Sequence, residues 1–161
     1  MNEDIFKIEM EVRDYECDIE GIVNNAVYLN YLEHTRHAFL KHKGFDFSAL
    51  TQKGIHLVVI RIEADYLYPL RSGDKFHVTA NIERTSKLRF GFSQDIFKSS
   101  DNKAIMKAKV FCTSLNADGK PAYFKELEEL FNYTVPTLAP KASAGEVSSK
   151  NFVEPFKPSG R

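Results

Sequence analysis

A single long helical stretch set among alternating segments restricts this chain more than any other feature. From about Asn25, the residues Tyr28, Tyr31, Leu32, Thr35, Phe39 and Leu40 recur at three- and four-residue spacing, and Gly44 follows where a helix would end. Asn24 or Asn25 suits the N-cap, because a side-chain carbonyl there can accept an orphan amide of the first turn. A helix of about 18 residues rises roughly 27 Å. Ahead of it, Phe6, Ile8, Met10 and Val12 alternate with Lys7, Glu9, Glu11 and Arg13, the period of a half-buried strand.

Behind the helix the pattern is strand-like almost throughout. Phe47 to Lys53 reads as one further short turn, ended by Gly54. Ile55 to Tyr68 is rich in Val, Ile and Tyr and stops at Pro69. Phe76, Val78, Ala80 and Ile82 alternate; so do Leu88, Phe90, Phe92 and Ile96, and then Met106, Ala108, Val110 and Cys112. The separators RSGD, RTSK, SSDNK and NADGK are turn-formers. The order predicted is β-α-β-β-β-β, with a C-terminal helix from Phe124 to Phe131. One long helix and a run of antiparallel strands imply an α+β chain, the helix packed on one sheet face. Residues 1–133 read as one domain. The segment 134–161 loses all periodicity, gathers Pro, Ser, Ala and Gly, and reads as an irregular tail.

Composition narrows the function classes. The chain has 161 residues with 22 basic and 22 acidic side chains, a balance that argues against a nucleic-acid partner. No stretch approaches the roughly 18 apolar residues of a membrane helix, so no membrane partner is expected. The acidic N-terminus has no apolar core of signal-peptide length. Two cysteines, Cys17 and Cys112, stand in no metal-ligand spacing. A reducing compartment, by default the cytoplasm, is the expectation.

The segment richest in chemistry runs from Val12 to Leu40. Asp18, Gly21, Asn24 and Asn25 lie within eight residues, just ahead of the helix. A helix N-terminus presents unsatisfied amides and a positive dipole end, which polarise a carbonyl and stabilise an oxyanion. A carboxylate beside it can act as nucleophile or as general base. Read locally, Asp-x-x-Gly before a helix is a turn followed by a cap.

Over a wider span the chain resembles the hotdog-fold thioesterase superfamily, in its 4-hydroxybenzoyl-CoA thioesterase-like branch. The residues that carry the likeness are Val12-Arg13, Asp18, Gly21 to Asn25, Tyr28, Tyr31-Leu32-Glu33, and downstream Tyr66, Pro69 and Gly73-Asp74. It extends from about Phe6 to Phe131 and is similar to plant single-hotdog acyl-ACP thioesterases and bacterial long-chain acyl-CoA thioesterases. The resemblance implies one long central helix wrapped by a five-stranded antiparallel sheet. It implies catalysis by Asp18, with the Asn25 backbone amide polarising the thioester carbonyl of an acyl-CoA or acyl-ACP. Gly21, Val23, Asn24, Tyr28 and Glu33 would border the substrate. Coenzyme A or phosphopantetheine enters only as part of that substrate, and no other cofactor is implied. Subunits of this fold pair their sheets edge to edge, so a homodimer or homotetramer is expected, with the acyl tunnel at the interface.

Other candidates rank lower. Ser86, Lys87 and Arg89 at a strand turn could hold the phosphates or pantetheine arm, with Arg71 and Lys75 as alternatives; solvated turn cations are the plainer explanation. A second carboxylate expected near position 61 is replaced by Arg61, and Glu63 is a poor substitute on the same strand face. His34, His37 and His42 suggest helix-borne ligands but lack a third or fourth partner, and no metal is expected. His56 and His77 have no obvious partner. A rival function is a non-catalytic acyl-CoA-binding module of the same fold, against which the retained Asp18 argues. A hotdog hydratase is less well matched, since its usual Asp/His motif is absent.

Overall fold

The computed structural model describes residues 5–131; the expected tail, 134–161, lies outside them. The strands are β1 (Lys7–Glu11), β2 (His56–Tyr66), β3 (Lys75–Thr79), β4 (Asn81–Arg84), β5 (Arg89–Lys98) and β6 (Ala104–Leu115). The helices are α1 (Asn25–His42), α2 (Phe47–Gln52) and α3 (Glu128–Phe131). All strand pairs are antiparallel, in the order β1-β3-β5-β6-β2, and β4 also pairs with β5.

The expectation of five strands is corrected to six. The stretch Phe76 to Ile82 does alternate, but it bends at Ala80 into β3 and β4. Both halves keep one register on β5, with Val78 opposite Ile96 and Ile82 opposite Phe92. The bend has a local cause. Asp95 donates its amide to the Thr79 hydroxyl at 3.2 Å, while Ala80 donates its own amide to the Phe6 carbonyl at 3.0 Å. A side chain thus replaces one rung of the backbone ladder, and the strand turns toward β1.

Helix α1 begins at the N-cap Asn24, whose Oδ1 accepts the Ala26 amide at 2.9 Å. It ends where Gly44 takes φ +81°, a conformation that costs a residue with a Cβ. Tyr31 packs on Phe76 of β3, and Phe39 meets Phe92 of β5 edge-on. The expected C-terminal helix, 124–131, opens as a 3-10 turn (Lys125–Leu127) before α3. Leu127 joins Leu50 and Ile55 in a small second cluster.

Because α1 lies over β5, it leaves one side of the sheet bare. On β6 the residues facing α1, namely Met106, Ala108, Val110 and Cys112, are all buried. Their partners on the edge strand β2 are Tyr66, Ala64, Ile62 and Val59. Of these, Tyr66 is 49% and Ile62 38% exposed. This 11-residue edge strand carries half-exposed apolar side chains and has no strand on its outer side among the described residues.

Leu32 is fully buried at the centre of α1. Leu32→Ala should lower unfolding free energy by about 2–5 kcal/mol, read from urea midpoints at matched protein concentration.

Candidate active site

The loop between β1 and α1 is a compact hairpin. Cys17 and Val23 form an antiparallel bridge; Asp18 donates its amide to Ile22 O at 2.9 Å, and Gly21 donates to Asp18 O at 3.0 Å. Gly21 closes the turn at φ +70°. The half-buried Asp18 accepts the Glu20 amide on Oδ1 at 2.9 Å, so the turn reading of Asp-x-x-Gly is sound geometry. Its Oδ2 accepts no hydrogen bond among the described residues. Ile19, at the tip, is 98% exposed.

What presses this hairpin against the helix is Glu16, a residue that sequence reasoning missed. It sits in a 3-10 turn, Asp14–Glu16, and is buried. Its Oε2 accepts the Arg13 amide at 2.8 Å and the Tyr31 hydroxyl at 2.7 Å, and its Oε1 accepts Arg13 Nη1 at 3.2 Å. Its backbone carbonyl accepts the Asn24 amide at 3.0 Å. The one signal in the sequence was a Glu at the third position of a short turn, where it can reach back to the cap amide.

Three tyrosines complete the frame. Tyr31 is raised well above the ordinary phenol pKa, by burial first and then by the hydrogen bond it gives Glu16, so it stays a donor. Tyr28 accepts the Leu70 amide at 2.9 Å and is also raised by burial. Tyr66 reaches from β2 to donate to the Asn25 carbonyl at 2.9 Å. The ring of Tyr28 lies edge-on to both of the others.

The first-turn amides of α1 are disposed of one by one. Asn24 donates to Glu16 O, Ala26 to Asn24 Oδ1, and Val27 to Asn24 O. The Asn25 amide has no acceptor among the described residues. A half-buried carboxylate with one unbonded oxygen therefore shares a hairpin-to-helix junction with an unfilled amide at a positive dipole end.

The remaining candidates divide. Val23 is buried and holds Leu70 O through its amide at 2.9 Å. Arg71 is brought to the loop, donating from Nη1 to Gly21 O at 3.2 Å, while Lys75 stands exposed at the start of β3. Glu33 is exposed on α1, 3.9 Å from His37. Glu63 pairs with Arg61 on the sheet face opposite α1, which corrects its standing as a substitute carboxylate. Ser86, Lys87 and Arg89 lie at the far end of β5, about 30 Å of strand from the Lys98 end near the Asp18 loop. There the Ser86 hydroxyl accepts the Arg89 amide at 3.1 Å, and the Lys87 ammonium lies over the Tyr123 ring.

Three of the five histidines pack on aromatic rings: His37 on Phe47, His42 on Phe6 and His77 on Phe97. Cys17 and Cys112 are free thiols, and burial pushes Cys112 up to about 11. No described helix is long and apolar enough to cross a membrane.

This architecture is that of a known family. Residues 12–140 match the sequence model of the Thioesterase-like superfamily, and the chain belongs to that family. It is 42% identical over 115 residues to the chloroplastic acyl-acyl carrier protein thioesterase ATL3 of Arabidopsis thaliana. That match covers 71% of this chain, which spans 60% of the relative's length. It is 26% identical over 110 residues to the acyl-CoA thioester hydrolase YbgC of Escherichia coli, covering 68% of this chain and 81% of that one. Among solved structures, the 1,4-dihydroxy-2-naphthoyl-CoA thioesterase Slr0204 of Synechocystis superposes with a TM-score of 0.72 at 18% identity. That superposition covers 76% of this chain and 91% of the other, and it shows the shared hotdog, α+β fold.

Glu16→Ala should strand the buried Tyr31 hydroxyl and the Arg13 amide, lowering unfolding free energy by about 1–3 kcal/mol. Tyr31→Phe, which removes one of the three bonds to Glu16, should cost less in the same urea titration.

Proposed function

We propose that this chain hydrolyses acyl thioesters of coenzyme A or acyl carrier protein, with a fatty acyl group as the substrate class. The observation that carries the reading is the pairing of an unbonded Asp18 oxygen with the unfilled Asn25 amide at one junction. A thioester carbonyl placed on that amide gains a hydrogen-bond donor and the helix dipole as negative charge builds on its oxygen. As general base, Asp18 takes a proton from water; hydroxide adds to the carbonyl carbon, and the tetrahedral adduct collapses with loss of the thiolate, which regains a proton. As nucleophile, Asp18 adds directly, expels the thiolate and leaves a mixed anhydride that water cleaves. Either route ends in free acid and thiol. The names of the plant and bacterial relatives support this class of reaction and both carriers.

The edge of β2, open among the described residues, supports a homodimer or homotetramer. Two copies meeting there antiparallel would extend the sheet and cover Ile62 and Tyr66. The two-fold would reverse the partner's strands, bringing its Ser86-Lys87-Arg89 turn toward the Asp18 end of this chain. That geometry gives those cations a substrate role that one chain alone does not. The two free thiols fit a reducing compartment, in the simplest case the cytoplasm.

Asp18→Ala should lower thiol release from acyl-CoA by at least about 100-fold while leaving the unfolding midpoint close to wild type. Hydrolysis at the wild-type rate would sink the mechanism, and tight acyl-CoA binding without any thiol release by the wild type would favour a binding module. The double substitution Ile60→Lys with Ile62→Lys should shift the sedimentation mass toward the monomer; an unchanged mass would rule out β2 as the interface.

A further inference from the structure

Arg36 is a charged side chain inside the helix–sheet interface. It is 8% exposed, and its Nη1 donates to Gln94 Oε1 at 3.0 Å. Gln94 is fully buried and passes the contact on, its Nε2 donating to the Leu32 carbonyl at 3.0 Å. Among the described residues no carboxylate forms a salt bridge with Arg36. Glu33 acts on it only through longer-range charge, and burial holds its pKa below the ordinary guanidinium value. An unpaired buried charge is costly where an apolar side chain would pack readily, so this position demands an account.

Its placement supplies one. Asn25, Leu29, Glu33 and Arg36 follow each other at four-, four- and three-residue steps, along one flank of α1. The flank begins beside β2, where Tyr66 bonds the Asn25 carbonyl. Below it lies the apolar shelf of β2 that α1 leaves uncovered. Gln94 stands in one row with Ala108 and Ala64, the row next to Ile96, Met106 and Tyr66. Two alanines in that row keep the shelf low between the Tyr66 end and the Ile62 end. Arg36 lies about 16 Å beyond Asn25 along the helix axis, and its head is held at Gln94, in the same row as Ala108 and Ala64.

We propose that Arg36, held by Gln94, is the polar end of the acyl-binding surface and discriminates against saturated acyl chains long enough to reach it. This rests on the reading that the thioester lies at Asp18 and Asn25. A shorter chain covers Tyr66 and stops before the Ala64 row that holds Gln94, gaining apolar contact with each methylene. A chain that extends to Arg36 strips the guanidinium of its remaining water and offers no acceptor in return. Specificity is then set by a penalty at one position in addition to the apolar contacts.

The test is kcat/KM across saturated acyl-CoAs from butanoyl to octadecanoyl. The wild type should show a break along the series. Arg36→Met and Arg36→Gln should both raise the long-to-short ratio about tenfold, while Arg36→Lys, which keeps a cation, should retain the break. Ala64→Leu raises the shelf in the row of Gln94 and should move the break to shorter chains, a readout that does not require any Arg36 variant to fold. An unchanged ratio in folded Arg36→Met or Arg36→Gln overturns the role of Arg36, and an unchanged profile in Ala64→Leu overturns the shelf as the acyl surface. Failure of the wild type to release thiol from any member of the series would instead overturn the thioesterase reading itself.

Discussion

The carboxylate of Glu16 is the contact on which the site depends. It is buried between β1 and α1 and takes hydrogen bonds from the Arg13 amide and the Tyr31 phenol. A charge in that position is tolerable only because those donors converge on it. They come from the strand end and from the second turn of the helix, so satisfying the carboxylate also fixes the hairpin that carries Asp18 against the helix start. The Asn24 amide, bound to the Glu16 carbonyl, extends the clamp to the N-cap. Asp18 contributes no bond to this frame beyond its own turn, which leaves its second oxygen available for chemistry.

The position of α1 over β5 has two consequences of opposite character. On one flank Tyr31 packs on Phe76 of β3, Phe39 on Phe92 of β5 and Phe6 on Phe39, closing the interface into the buried core. On the other flank the edge strand β2 keeps half-exposed apolar residues facing the helix, and a buried cation, Arg36, stands above the neighbouring row. In the proposed assembly the same surface would serve both subunit pairing and binding of an apolar chain.

Much of the fold was legible in the sequence because its signals are periodic and local. Alternation marked β1, β5, β6 and the stretch that holds β3 and β4, enrichment in Val, Ile and Tyr marked β2, and three- and four-residue spacing marked α1 from about Asn25. The hairpin before α1 could be read as a turn, from Asp18 and Gly21. The bend at Ala80 could not, since alternation continues through it; only the exchange between Thr79 and Asp95 on two different strands produces it.

The sequence by itself determined the α+β class, the element order and the junction of a carboxylate with a helix start, because each needs only neighbours a few residues apart. Tertiary structure decided which polar groups are paired in the interior. Glu16 finds Tyr31 fifteen residues away, and Arg36 finds Gln94 fifty-eight residues away. It also set Ser86, Lys87 and Arg89 at the opposite end of β5 from the Asp18 loop, and turned Glu63 away from α1. The physical reason is the same in each case. A hydrophobic period survives in any window of the chain, whereas the partner of a buried charge is chosen by how the helix crosses the sheet.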